Sequence, residues 1–98
     1  MPPVAGLLYK ARRYLSGRHW IKHILHNGKG GVCALGALLL NVTMEDPMYF
    51  QAKSYLEQTL PEGFPRSVAE FNDRKSTHKA DILALYDRAI IKALEKGE

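Results

Sequence analysis

The sequence contains one cysteine, no long hydrophobic run, and no acidic residue in its first third. A single cysteine, Cys33, excludes an internal disulfide framework and fits a reducing compartment. The longest apolar run, residues 32–40, has 9 residues and includes a glycine, whereas a membrane-spanning helix needs about 20. The N-terminal basic residues follow the first apolar cluster, which is the reverse of a secretory signal. We therefore expect a cytoplasmic protein that does not associate with a membrane.

The length and composition predict one small folded domain that covers residues 1–98. The chain has 98 residues, of which 46% are hydrophobic and 24% are charged. These fractions are close to those of ordinary globular domains, and they exclude a disordered chain because enough apolar surface is present to offset the entropy of ordering. The chain is too short for a second hydrophobic core.

Hydrophobic periodicity and capping signals indicate helices throughout. Residues 3–16 carry apolar side chains at the spacing of an amphipathic helix, and residues 32–42 predict a central helix that is apolar almost all round. Asp46 followed by a proline predicts the start of a helix that extends to about residue 60. The expected break covers residues 61–65, Ser67 and Glu70 have capping-box spacing, and Thr77 is the expected cap of the last helix.

The remaining segments do not suggest a sheet. Residues 18–26 show no clean alternation of polar and apolar side chains, so we expect a short helical or irregular segment there. Residues 27–31 contain three glycines and predict a loop. The sequence thus predicts an all-α domain of four or five helices around a hydrophobic central helix.

Charge is distributed unevenly and points to a binding face. Residues 1–31 have a net charge of +6 and residues 32–98 a net charge of −2. Aromatic residues are interleaved with these cations, which is a combination that suits phosphate contacts and base stacking but also an acidic protein surface. A solvated helix face is the ordinary explanation. The predicted binding residues are Lys10, Arg12, Arg13, Arg18, Trp20 and Lys22.

A catalytic alternative centres on Cys33. At the start of the predicted central helix its thiol would be activated by the helix dipole, and His78 with Asn72 or Asp73 would complete a Cys–His–Asn or Cys–His–Asp set. A lone cysteine in an apolar run more commonly packs in the core. An ordinary use of the Asn72–Asp73 pair is to cap a turn that anchors the last helix.

Metal and phosphate sites have weaker support. His19, His23 and His26 with Cys33 are a possible zinc ligand set, although surface histidines are the ordinary explanation. The glycine-rich loop lacks P-loop spacing and is better explained as a connector. We expect neither a metal nor a cofactor.

Three motifs carry a resemblance to a known family. Residues 30–38 read G-x₂-CALGAL, residues 71–73 read Phe-Asn-Asp, and residues 77–89 read T-x₃-D-I-L-A-L-x-D-R-A. Together with an N-terminal helix leading to Trp20, they resemble a domain-of-unknown-function family of small actinobacterial and actinobacteriophage proteins, over residues 7–94. Phe71 stands where that family more often has Trp. The resemblance implies an all-α domain of phage or actinobacterial origin and supplies no activity.

These observations favour a small non-enzymatic binding protein. We expect it to be phage-encoded and to contact a host macromolecule, preferably a protein, through the basic aromatic N-terminal face. A nucleic-acid-binding module that uses the same face is the alternative. A Cys33-dependent hydrolase is the second alternative.

Overall fold

The computed structural model describes residues 1–63 and 67–98 and is all-α, as predicted. Four α-helices follow one another as α1 (Pro3–Leu15), α2 (Pro47–Gln58), α3 (Val68–Asp73) and α4 (Lys79–Glu95), with a 3₁₀-helix, Leu38–Leu40, between α1 and α2. Within the described ranges, β-structure is limited to isolated bridges of Val32 with Trp20 and with His26. None of the described helices has both the length and the apolar character that crossing a membrane requires.

Helices α1, α2 and α4 pack against one another, and the most extensive of these contacts is between α1 and α4. The chain termini meet, because the Glu98 carbonyl oxygen accepts hydrogen bonds from the N–H groups of Val4 and Ala5 at 2.7 and 3.1 Å. These two N–H groups lie in the first turn of α1, where no intrahelical acceptor exists. Pairing them with Glu98 therefore fixes α1 alongside the end of α4.

The predicted central helix over residues 32–42 is wrong, since this buried segment is a series of turns followed by the 3₁₀-helix. Its first N–H groups bond to other parts of the chain: Val32 to His19 O at 2.7 Å and Cys33 to Leu25 O at 3.1 Å. A Cβ at Gly36 would lie 2.0 Å from the Leu25 carbonyl oxygen, so the two backbones are in direct contact there. Residues 32–38 are in the core as expected, whereas Leu40 at the end of the apolar run is 48% exposed. The 19–25 loop holds the backbone of the run out of α-helical geometry.

The structure confirms two of the predicted helix starts. The Asp46 carboxylate accepts a hydrogen bond from the Met48 N–H at 2.9 Å at the start of α2, and the Ser67 hydroxyl accepts one from the Glu70 N–H at 3.2 Å at the start of α3. Residues 18–26 are irregular, which is one of the two structures expected for them, the other being a short helix. Of the expected break over residues 61–65, Phe64 and Pro65 lie outside the described residues.

The predicted cap of α4 is wrong by one residue. The N-cap is His78, and the Asp81 carboxylate accepts a hydrogen bond from the His78 N–H at 2.8 Å. Thr77, the expected cap, is buried. A buried side chain at this position anchors the segment between α3 and α4 in the core, and the helix begins only after it.

Candidate functional site

The Asn72 side chain links α3 to the irregular segment, residues 18–26, and to Ala34 in the buried run that follows it. Its Oδ1 accepts hydrogen bonds from the Trp20 indole N–H at 2.7 Å and from the Ala34 N–H at 3.0 Å. Its Nδ2 donates to the Ile21 carbonyl at 3.2 Å and to Asp73 Oδ1 at 2.9 Å. The side chain is 1% exposed, and both of its polar atoms are bonded. The Asn72–Asp73 pair is therefore structural, as expected, but it anchors the 20–34 segment and not the last helix, whose first turn is capped by His78 and Asp81.

Asp73 continues the same network at the surface. Its Oδ1 accepts a hydrogen bond from the His23 N–H at 2.8 Å, and His23 has a positive φ of 76°. Burial alone would raise the pKa of the Asp73 carboxyl, but the hydrogen bonds from Asn72 and His23 and the nearby charge of Lys22 outweigh it and lower the pKa. The ionised carboxylate thus holds a backbone conformation that few residues other than glycine adopt.

Three of the six predicted binding residues make contacts within the chain. Arg12 forms an ion pair with Asp87 of α4, with its Nε 2.6 Å from Oδ1. Trp20 packs against the core and donates to Asn72. Lys22 donates to the Arg74 carbonyl oxygen and lies over the Trp20 ring, 5.5 Å from its centroid. These side chains hold the irregular segment and α4 in place.

The other three predicted binding residues, Lys10, Arg13 and Arg18, are exposed. None of their side chains forms a hydrogen bond or an ion pair with any residue that the structure describes. Lys10 and Arg13 lie on one face of α1, together with Gly6, because positions i, i+4 and i+7 of a helix are neighbours. Among the described residues, the exposed cations of the N-terminal third without a side-chain partner are therefore these two on α1, Arg18 after it and Lys29 in the glycine-rich loop.

An open groove of about 640 Å³ lies along this face of α1. Met1 and Tyr9, which are exposed, contribute apolar surface to it from the α1 side, and the half-buried Val42 and Met48 contribute from the other side. Lys10 and Arg13 line the same groove and also line a neighbouring depression next to Tyr14 and His19. The arrangement combines apolar surface with two unpaired cations, which suits a partner that carries both apolar and acidic side chains.

Gly6 is a lining residue of the groove that the sequence analysis did not single out. It lies inside α1 with a φ that is not positive, and a Cβ built on it would meet nothing within 4 Å. Glycine inside a helix is less favourable than alanine by about 0.5–1 kcal/mol. Nothing that the structure describes therefore requires glycine here, in contrast to Gly36. Its position on the Lys10–Arg13 face was readable from the sequence, but the open space next to it was not.

The residues of the hydrolase alternative lie in different surroundings. Cys33 is buried, and its Sγ accepts a hydrogen bond from the Gly36 N–H at 3.4 Å. Because residues 32–42 are not an α-helix, the thiol has no helix dipole behind it. The imidazole of His78 is 81% exposed and lies 3.7 Å from the Asp81 carboxylate. Asn72 approaches the cysteine segment through Ala34, but among the described residues no hydrogen bond joins Cys33 to His78.

The three N-terminal histidines are likewise separated by their contacts. His19 stacks on Tyr14 with ring centroids 4.1 Å apart, and His23 Nδ1 lies 3.9 Å from Asp73 Oδ2. In the parts of the chain that the structure describes, no group of three or more His, Cys, Asp or Glu residues is placed to hold a metal ion.

The glycine-rich loop uses its N–H groups internally. Asn27 Oδ1 accepts hydrogen bonds from the N–H groups of Lys29 and Gly31 at 2.8 and 2.9 Å. The Tyr14 hydroxyl donates to the Gly30 carbonyl at 2.6 Å, which ties the loop to α1. This arrangement agrees with the interpretation of the loop as a connector, because these two N–H groups are not available to an anion.

Comparison with known proteins places the chain in a family but assigns no activity. No curated protein matches the sequence, and no solved structure matches the fold. A sequence model of a family of unknown function (DUF6197) matches residues 1–92. The match includes α1, the buried 32–42 segment and the Asn72–Asp73 anchor, and it ends within α4. The chain therefore belongs to this family of unknown function.

Proposed function

We propose that this protein is a small non-enzymatic binding domain whose contact face is the exposed side of α1 and the apolar groove that Lys10 and Arg13 line. The observation that carries the proposal is that these two cations are exposed and unpaired while they line an apolar groove. Arg12, on the same helix, is by contrast paired with Asp87 of α4. The resemblance to actinobacterial and actinobacteriophage proteins extends the proposal to a phage-encoded protein that contacts a host macromolecule in the cytoplasm.

A protein partner is supported better than a nucleic acid. Stacking of successive bases needs a series of exposed aromatic faces. Trp20 packs against the core beneath Lys22, and Tyr14 and His19 stack on each other, so Tyr9 is the exposed ring among these four aromatic residues. The apolar surface of Val42 and Met48 in the groove has no use in a contact with phosphates. Apolar surface at the centre with charge at the edge is the composition of a protein–protein interface.

Affinity purification from an actinobacterial lysate tests the proposal. The tagged protein is compared with a Lys10→Glu/Arg13→Glu variant and with a Lys75→Glu/Lys96→Glu variant, which changes the net charge equally at exposed positions outside the groove. We expect wild type and the Lys75/Lys96 variant to retain the same protein after nuclease treatment, and the Lys10/Arg13 variant to lose it. Equal retention by all three proteins refutes the proposed face, and retention that disappears with nuclease supports the nucleic-acid alternative.

A further inference from the structure

The groove beside α1 is open to close approach at one point of the helix. Gly6 lies on the α1 face that lines it, one turn before Lys10, with open space where a side chain would be. Every other residue except proline stabilises a helix interior better than glycine does. No turn, positive φ or neighbouring atom in the described chain accounts for this glycine. A helix surface without a side chain at one point allows another backbone to approach it closely, as ridges of one helix pack into grooves of another.

The charge around the groove selects the chemistry of its occupant. Lys10 and Arg13 are exposed and unpaired, and no acidic residue among those described lines the groove. On the side of the groove opposite α1, Glu45 and Asp46 are the acidic residues between Val42 and Met48 in the sequence. The Asp46 carboxylate accepts a hydrogen bond from the Met48 N–H as the cap of α2. Positive groups at the edge of an apolar groove favour a partner with carboxylates next to its apolar side chains.

Resting on the proposed function, we infer that the groove between α1 and the Val42–Met48 segment binds an amphipathic helix of a partner protein. The apolar face of this helix lies on Tyr9, Val42 and Met48. Its backbone passes closest at Gly6, and its Asp or Glu side chains pair with Lys10 and Arg13. A helix fits better than an added strand, because the described residues offer isolated bridges and no sheet edge.

A peptide selection tests this inference and does not require the partner to be identified. A display library of helix-favouring peptides of about 16 residues, long enough to form a helix on binding, is selected against the full chain. Enriched peptides are then measured by fluorescence anisotropy against wild type, Gly6→Ala, Gly6→Gln, Lys10→Glu/Arg13→Glu and the Lys75→Glu/Lys96→Glu control. Urea denaturation of each variant verifies that it is folded.

We expect the enriched peptides to combine apolar residues at helical spacing with Asp or Glu. Gly6→Gln and the Lys10/Arg13 reversal should each weaken their binding about tenfold or more, while the Lys75/Lys96 control leaves it unchanged. Gly6→Ala should weaken binding although the variant unfolds at a higher urea concentration than wild type, because alanine favours the helix but fills the open space at this position. If Gly6→Ala is more stable than wild type but binds the peptides more weakly, the weaker binding is caused by loss of the contact and not by loss of the fold.

Several outcomes overturn the inference. They are an absence of enriched peptides, enrichment of basic or wholly polar peptides, and binding that is indifferent to both Gly6 substitutions. The lysate experiment tests the proposed function separately. A partner protein that the Lys10/Arg13 variant loses but a Gly6→Gln variant retains supports the binding face and refutes the helix in the groove.

Discussion

Replacing Asn72 by alanine tests the anchor on which the irregular segment depends. The substitution removes four hydrogen bonds and leaves the Ala34 N–H and the Trp20 indole N–H without their acceptor. Ala34 is fully buried and Trp20 is partly buried. An unpaired buried donor costs about 1–3 kcal/mol, whereas groups that water can reach lose less. We therefore expect Asn72→Ala to lower the free energy of unfolding by about 2–4 kcal/mol, a large part of the roughly 5–15 kcal/mol typical of a domain.

Urea denaturation followed by tryptophan fluorescence measures this loss directly, since Trp20 is the one tryptophan of the chain and bonds to Asn72. The midpoint should fall by on the order of 2 M urea. The native-state emission of Trp20 should also change, because its indole loses a hydrogen-bond partner. A loss below about 1 kcal/mol, or an unchanged native emission spectrum, refutes the view that Asn72 anchors the segment.

Asn72→Asp separates the acceptor role of this side chain from its donor role. The carboxylate keeps oxygens for Trp20 and Ala34, but it loses the N–H that reaches Asp73 Oδ1 at 2.9 Å and places a second negative charge beside it. The deficit relative to wild type should therefore increase as the pH rises through the range in which carboxyl groups ionise, from about 4 upward. A deficit that is the same at pH 3 and pH 7 contradicts this account.

Three further predictions concern the core and its titratable groups. Gly36→Ala should destabilise the domain by about 1–3 kcal/mol, because the new Cβ meets the Leu25 carbonyl oxygen; thermal unfolding checks the sign, and a raised midpoint contradicts the close approach. Tyr86→Phe removes a hydrogen bond of 2.6 Å to the Ala34 carbonyl and should cost about 1 kcal/mol. Burial raises the pKa of Tyr86 well above its ordinary 10.0, so the stability of the wild type should fall as the pH rises beyond 10, and that of Tyr86→Phe should fall less. Urea denaturation of both proteins at pH 8 and pH 10.5 measures this difference. Equal losses of stability at alkaline pH contradict it. Hydrogen bonds lower the pKa of Asp73 below its ordinary 3.8, so the stabilisation that its carboxylate provides is present above pH 3.8 and is lost as the pH falls through the folded-state pKa. Asp73→Asn should therefore lose less stability than wild type between pH 5 and pH 2. An equal loss in the two proteins over this range would show that Asp73 is not responsible.

Local signals in the sequence were sufficient for the elements that stabilise themselves locally. The apolar stripe predicted α1, and the Asp46–Pro47 and Ser67–Glu70 signals predicted the starts of α2 and α3. A capping side chain and the N–H group that donates to it are within three residues of each other, so both are visible in a short window of sequence. The class of the fold followed from these elements and is confirmed.

The 32–42 segment shows where this approach fails. Its apolar composition correctly predicted the burial of residues 32–38, although Leu40 is exposed. Composition does not distinguish an α-helix from buried turns. The decision depends on where the backbone N–H groups find acceptors, and those of Val32, Cys33 and Ala34 find them in the 19–25 loop and on Asn72. These partners are separated along the chain, so no local window contains them.

The candidate site shows the same division. The sequence by itself determined that the first third of the chain is basic, and the helical period of α1 puts Lys10 and Arg13 on one face with Gly6. Only the tertiary structure decided which cations are unpaired. Arg12 is neutralised by Asp87, 75 positions away, while Lys10 and Arg13 line a groove whose other residues include Val42 and Met48. Helical period and net charge are local properties of the chain, whereas ion pairing and open space depend on which distant segments the folded core brings together.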